Sequence, residues 1–95
     1  MAITSILELT VKPESVADAA RIIDETLKTT RAFPGNLGID VVVDIDDPAH
    51  YVLIERWESV EADDAYRAFR KTPDGASELG TILAGPPRLV RCAAG

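Results

Sequence analysis

Apolar and polar side chains alternate along residues 3–11, with Ile3, Ser5, Leu7, Leu9 and Val11 on one strand face and Thr4, Ile6, Glu8 and Thr10 on the other. Lys12-Pro13 ends this strand, because proline has no N–H to offer a ladder. The period then changes. Val16, Ala20, Ile23 and Leu27 recur at intervals of four, three and four residues, one stripe of a helix that Ala19 and Ile22 widen. Ser15 with Asp18 reads as a capping box, with Pro13 as a competing first helical position, and Phe33-Pro34-Gly35 closes the helix.

Alternation returns at 39–45, where Ile39, Val41, Val43 and Ile45 face one way. Asp46-Asp47-Pro48-Ala49 predicts a turn, and 50–57 a return strand with Tyr51, Leu53, Glu55 and Trp57 on one face and His50, Val52, Ile54 and Arg56 on the other. Both faces of that strand are partly apolar, which predicts a central position. Ser59 caps a second helix reaching about Lys71, with Ala62, Ala65, Tyr66 and Phe69 as its apolar side and Arg67, Arg70 and Lys71 near its negative end. A short third helix is expected over 74–84, with Leu79, Ile82 and Leu83 inward, and a last strand over 88–92.

This order, β-α-β-β-α-β with one short extra helix, is that of an α+β, ferredoxin-like split sandwich: one antiparallel sheet with both principal helices on one face. The 95 residues make one domain, 1–95, with no repeat or linker. Such a chain buries only about 60–65% of the surface it exposes when unfolded, and its strands carry Ile, Val and Leu on both faces. Face-to-face homodimerisation is the simplest way to cover the helix-free face.

Charge and composition remove several classes of function. Ten Lys+Arg against sixteen Asp+Glu give a net charge of −6, which argues against a nucleic-acid partner, since phosphate contacts need a basic face. Apolar residues at 46% and charged residues at 27% are ordinary for a soluble domain. One cysteine, Cys92, excludes an intrachain disulfide, and one histidine, His50, removes two-histidine metal motifs. The start lacks the basic and apolar regions of a secretory signal, and no apolar run is long enough to cross a membrane, so a cytoplasmic protein without a membrane partner is expected.

Two aromatic residues are the candidate site. Trp57 ends the third strand just before Ser59, a corner where an indole either stacks on a planar ligand or wedges helix against sheet. Tyr66 follows nine residues later on the inward side of the second helix, where its hydroxyl either orients a phenolate-like oxygen or makes one structural hydrogen bond. The carboxylates Asp40, Asp44, Asp46 and Asp47 read as solvated turn and edge charges, because the glycine and distal glutamate of a calcium loop are missing. Cys92 and His50 have no evident partners for nucleophilic chemistry, and Asn36 beside Gly35 reads as turn chemistry.

Pro34-Gly35-Asn36-Leu37-Gly38, Asp47-Pro48 and Glu55-Arg56-Trp57-Glu58-Ser59 resemble the small antibiotic biosynthesis monooxygenase (ABM) domains, over nearly the whole chain to Pro86-Pro87. The resemblance implies a dimeric α+β barrel with an open space between each sheet and its helices. It also implies a choice of activities: some members oxidise aromatic polyketides or quinols with dioxygen and neither metal nor flavin, and others degrade haem. The haem-degrading members resemble this chain at Trp57 but use a histidine where it has Tyr66 and a first-strand asparagine where it has Ser5-Ile6. Haem is therefore disfavoured and no cofactor is expected.

On that resemblance, a quinol or polyketide-like phenol lies against Trp57, and Trp57 or Tyr66 stabilises its enolate-like oxygen while the substrate itself supplies the electrons. The alternatives are a non-catalytic dimer that binds a small apolar or aromatic ligand, and a structural or regulatory dimer with a filled core.

Overall fold

The computed structural model describes all residues, 1–95. Its principal elements are β1 (Ile3–Thr10), α1 (Val16–Ala32), β2 (Asn36–Asp44), β3 (Asp47–Trp57), α2 (Val60–Arg70) and β4 (Arg88–Cys92). The four strands form one antiparallel sheet in the order β2-β3-β1-β4, so β3 and β1 are central, as the two-sided apolar character of β3 predicts. Both helices lie on one face, giving the expected α+β architecture.

The alternation along β1 and β3 decides what each face buries. Ile3, Ser5 and Leu9 point with Leu53, Glu55 and Trp57 toward the helices and lose nearly all solvent contact. Ala19, Ile22, Ile23 and Leu27 of α1 close over Leu9, Val11, Ile39 and Leu53 as the main core. A smaller cluster of Ile3, Trp57 and Tyr66, flanked by Phe33 and Ala62, lies under the start of α2.

Three local expectations need correction. Residues 74–84 do not form a helix. They make two 3₁₀ turns, Pro73–Gly75 and Glu78–Ile82, because the Thr72 and Ser77 hydroxyls accept from the N–H groups of Gly75 and Leu79 and close single turns in place of a continuous ladder. Ile82 is nevertheless buried, with Leu79 and Leu83 against the main core, and Ala84 N–H donates to the Thr10 carbonyl at 2.8 Å. Ser15 caps nothing with its side chain; Pro13–Ser15 is a 3₁₀ turn that starts at the proline and runs into α1. The β2–β3 turn is shorter than 46–49, since β3 begins at Asp47 and Asp44 Oδ1 accepts from Asp46 N–H. This leaves Ile45 98% exposed at the turn.

The opposite sheet face carries no helix. Val42 pairs with Val52, and Ile54, Ile6 and Val90 align across β3, β1 and β4, making an apolar strip over all four strands. Ion pairs border it: Arg56 with Asp40 at 3.1 Å, and His50 with Glu8 at 3.2 Å and Asp44 at 3.0 Å, while Arg88 reaches Glu8 at 3.6 Å. No helix is long and apolar enough to cross a membrane.

The His50 cluster makes stability depend on pH in a definite direction. The hydrogen bond to Asp44, and after it that to Glu8, raises the imidazole above its ordinary value, and His50 in turn holds Asp44 below the usual carboxylate range. The contribution of His50 is therefore complete below about pH 6.5 and is lost as pH rises through the raised value; that of Asp44 is lost only as pH falls through its lowered one. His50→Gln is expected to lower Tm clearly near pH 6 and little near pH 9. Equal losses at both pH values would show that the imidazolium pairs add nothing.

Candidate active site

The corner between β3 and α2 is built by its backbone. Gly35, at φ +90°, brings its carbonyl to the Glu58 N–H at 2.9 Å, and a Cβ there would press on Ala62 at 2.5 Å. Ser59 Oγ then accepts from Ala62 N–H at 3.1 Å and starts α2, as the capping pattern predicts. From this fixed start, Asp63, Tyr66, Arg67 and Arg70 follow at three, four and seven residues and turn inward. Asp63 and Tyr66 are buried, Arg67 and Arg70 are half-buried, and Ala65, expected inward, is exposed.

Asp63 replaces Ala65 on the buried side because charged partners meet it there. Its Oδ2 accepts from Ser5 Oγ at 3.0 Å and Arg91 at 3.4 Å. Arg67 Nε lies 2.9 Å from Oδ1, an ion pair whose N–H does not point along the line to the oxygen. Arg67 Nη2 also donates at 2.7 Å to Glu55 Oε1. That same oxygen receives the Trp57 Nε1–H at 3.1 Å. Arg91 further pairs with Asp64, which together with Asp63 holds its guanidinium above the ordinary value.

Trp57 and Tyr66 are brought together, with ring centroids 5.1 Å apart and planes tilted by 32°, and Phe33 stands edge-on to both. Their surroundings differ. Trp57 is fully buried, its N–H engaged by Glu55, and it is not part of any cavity wall. Tyr66 reaches a cavity. Its hydroxyl lies 2.6 Å from Thr30 Oγ1 and accepts from Arg70 Nε at 2.6 Å. Arg70 also donates from Nη2 to Thr26 O and Thr30 Oγ1, and from Nη1 to Gly75 O at 3.1 Å. Gly75 offers that carbonyl because its turn folds tightly back on the end of α2, where any Cβ would collide with the Phe69 carbonyl.

The cavity has a volume of about 420 Å³ and opens between β1, α2 and residues 75–87. Leu7, Leu9, Leu79 and Leu83 make its apolar wall, and Tyr66, Arg67, Arg70 and Ser77 its polar one. No carboxylate or imidazole lines it. Tyr51 packs against the main core, His50 and Cys92 lie on strand positions of the opposite sheet face, and Asn36 Oδ1 accepts from Gly38 N–H as a turn residue. Sequence periodicity missed Ser5, Glu55, Asp63, Arg67, Arg70 and Arg91. Two of them carried a signal: Ser5 and Glu55 interrupt otherwise apolar faces of the two central strands.

The family model described as antibiotic biosynthesis monooxygenase matches residues 2–75. Among curated proteins, none matches the sequence. Among solved structures, the chain is similar to a protein described as antibiotic biosynthesis monooxygenase, at 25% identity over 98% of both chains with a TM-score of 0.82. It shares the fold of Rv0793 from Mycobacterium tuberculosis, at 23% identity over 99% of this chain and 95% of that one, TM-score 0.79. It also shares the fold of a mutant of SnoaB, a cofactor-independent oxygenase from Streptomyces nogalater, at 19% identity over 98% of this chain and 92% of that one, TM-score 0.81.

Removing the central carboxylate tests the network beneath α2. Asp63→Asn leaves Arg67 and Arg91 without their shared partner; because both guanidiniums reach water and keep Glu55 and Asp64, the loss falls below the roughly 3–5 kcal/mol of a broken buried pair, at about 2–3 kcal/mol of unfolding free energy in a urea titration. A loss below about 0.5 kcal/mol would show that the network adds no net stability.

Proposed function

The chain belongs to the antibiotic biosynthesis monooxygenase family, and from that membership we propose that it oxidises a small aromatic, a quinol or polyketide-like phenol, with dioxygen in the cavity between α2 and the sheet. The observation that carries the reading is the cavity itself. Its volume of about 420 Å³ suits a molecule of two or three fused rings, and its walls divide such a molecule into an apolar body and one oxygen-bearing edge.

The chemistry asks little of the protein beyond orientation and electrostatics. An ionised phenol gives one electron to dioxygen, and the resulting superoxide joins the substrate radical at carbon. The hydroperoxide so formed loses water to leave a carbonyl, so one oxygen atom is retained and the other departs as water. The leucine wall would exclude solvent. Tyr66 is the residue assigned to the substrate oxygen. When Thr30 donates to Tyr66 Oη alongside Arg70, the hydroxyl accepts twice and its own proton is free for a developing phenolate. Trp57 acts at one remove as a positioning residue: it holds Glu55, which holds Arg67 at the cavity wall.

The absence of a carboxylate or imidazole from the lining favours one alternative, a dimer that binds the aromatic without converting it. The homodimer itself is proposed from the helix-free face, where the strip Val42, Val52, Ile54, Ile6 and Val90 has no cover within the chain.

Oxygen uptake with a naphthoquinol separates turnover from binding. The expected result is uptake that Tyr66→Phe slows about tenfold to hundredfold, the effect of one charged hydrogen bond of about 1.5–3 kcal/mol. Activity is taken per folded molecule, because the lost hydroxyl also leaves Arg70 and Thr30 short of a partner. If Tyr66→Phe and Trp57→Phe both keep turnover and affinity within about twofold of the parent, these residues are core only. For assembly, light scattering should return twice the 10.2 kDa chain mass, from an interface above about 1,000 Å². Ile54→Arg should halve that mass, and a parent that stays at the chain mass at micromolar concentration rules the dimer out.

A further inference from the structure

Charge is balanced everywhere along the inner side of α2 except at one residue. Arg67 stands between Glu55 and Asp63, and Arg91 between Asp63 and Asp64, so the buried carboxylates are matched by guanidiniums. Arg70 has no carboxylate within ion-pair distance. Its acceptors are the Tyr66 and Thr30 hydroxyls and the carbonyls of Thr26 and Gly75, all neutral. These bonds take four of its five N–H groups, so the guanidinium is anchored to α1, α2 and the Pro73–Gly75 turn and cannot swing away into solvent. One Nη1 hydrogen is left without a protein acceptor. A half-buried cation held this firmly, with no counter-ion, is costly unless an anion arrives beside it.

The two sides of Arg70 are unequal. One borders a polar groove of about 210 Å³ that also holds Glu25 and Glu78. Both are exposed, Glu25 is already paired with Arg21 at 3.8 Å, and water screens charges there. The other side borders the 420 Å³ cavity and its leucine wall, where lower polarity makes the same charge count for more. The chain as a whole is acidic at −6, so its long-range field does not draw anions in, and any preference for them must be local to this wall.

We propose that the ligand of this cavity is an aromatic acid, a planar apolar body bearing a carboxylate or an equally acidic enol, and that Arg70 is the residue that selects the anion. This assignment rests on the reading of the cavity as the ligand site. It makes the edge formed by Arg70 and Tyr66 a specificity determinant, whether or not the bound molecule is then oxidised.

The test is calorimetric titration with 2-naphthoate and 2-naphthamide, which share shape and differ in charge, at a temperature where each protein is folded by circular dichroism. The parent is expected to bind the naphthoate at least about tenfold more tightly than the amide. Arg70→Gln should erase that preference. Arg70→Lys, which keeps the charge and loses the fork, should retain a preference at lower affinity. Equal affinity of the parent for the two ligands, with both bound, overturns the charge assignment and leaves the cavity as the ligand site. A preference undiminished in Arg70→Gln overturns the role of Arg70. Binding of neither ligand overturns the cavity as a site for such aromatics, and this inference with it.

Discussion

A carboxylate without solvent contact must be met by cations, and Asp63 under α2 imposes that condition on its surroundings. Ser5 from β1, Arg91 from β4 and Arg67 from the next turn of α2 converge on it, while Glu55 on β3 engages Arg67 from the other side. Three of the four strands are thereby tied to α2 through side-chain oxygens and guanidiniums. The two helices pack by different physics as a result. α1 buries four apolar residues with two threonines at one edge, whereas α2 buries one tyrosine and one aspartate.

The cavity follows from that difference. Long, charged side chains held by ion pairs do not interdigitate with leucines, so α2 is not drawn flush onto β1, and the half-buried Leu7 borders open space beside the buried Leu9. Of the aromatic cluster only Tyr66 reaches the cavity, backed by Trp57 and Phe33. Arg70, bonded to the Tyr66 hydroxyl, continues the same edge and joins Thr26 and Thr30 of α1 to Gly75 beyond α2. The resulting site has a rigid polar edge and an apolar wall partly supplied by the irregular segment 75–87, the combination that lets one sandwich architecture present different ligand surfaces by changing a loop.

The sheet's second face is governed by a simpler constraint. Its apolar strip is bordered by charges already paired within the chain, Arg56 with Asp40 and His50 with Glu8 and Asp44. A partner laid on the strip would bury valines and isoleucines without having to neutralise those charges itself, which fits a self-complementary surface. The cavity lies on the other, helix-bearing side of the sheet, so the two surfaces do not overlap.

Much of this was written into residue order. Alternation in β1, β2 and β3, the helical period in α1, the stops at Lys12-Pro13 and Phe33-Pro34-Gly35 and the Ser59 cap with its apolar side suffice for the element order and for Tyr66 facing inward, because burial demand along a strand or helix repeats with that element's own period. Within the α1 stripe, however, Ala20 is exposed and its neighbour Ala19 is buried. Pairing between distant residues has no such period. Ser5 and Asp63 are 58 residues apart, Thr26 and Arg70 are 44, and Thr30 and Tyr66 are 36, so only the folded chain reveals that Asp63 and not Ala65 is buried, that Trp57 supports Glu55 from outside the cavity, and that Arg70, unlike Arg67, lacks a counter-ion. Residues 74–84 failed as a predicted helix for the same reason: their leucines are placed by contacts with β1 and the core, and local turn hydrogen bonds from Thr72 and Ser77 met the backbone's needs without a helix.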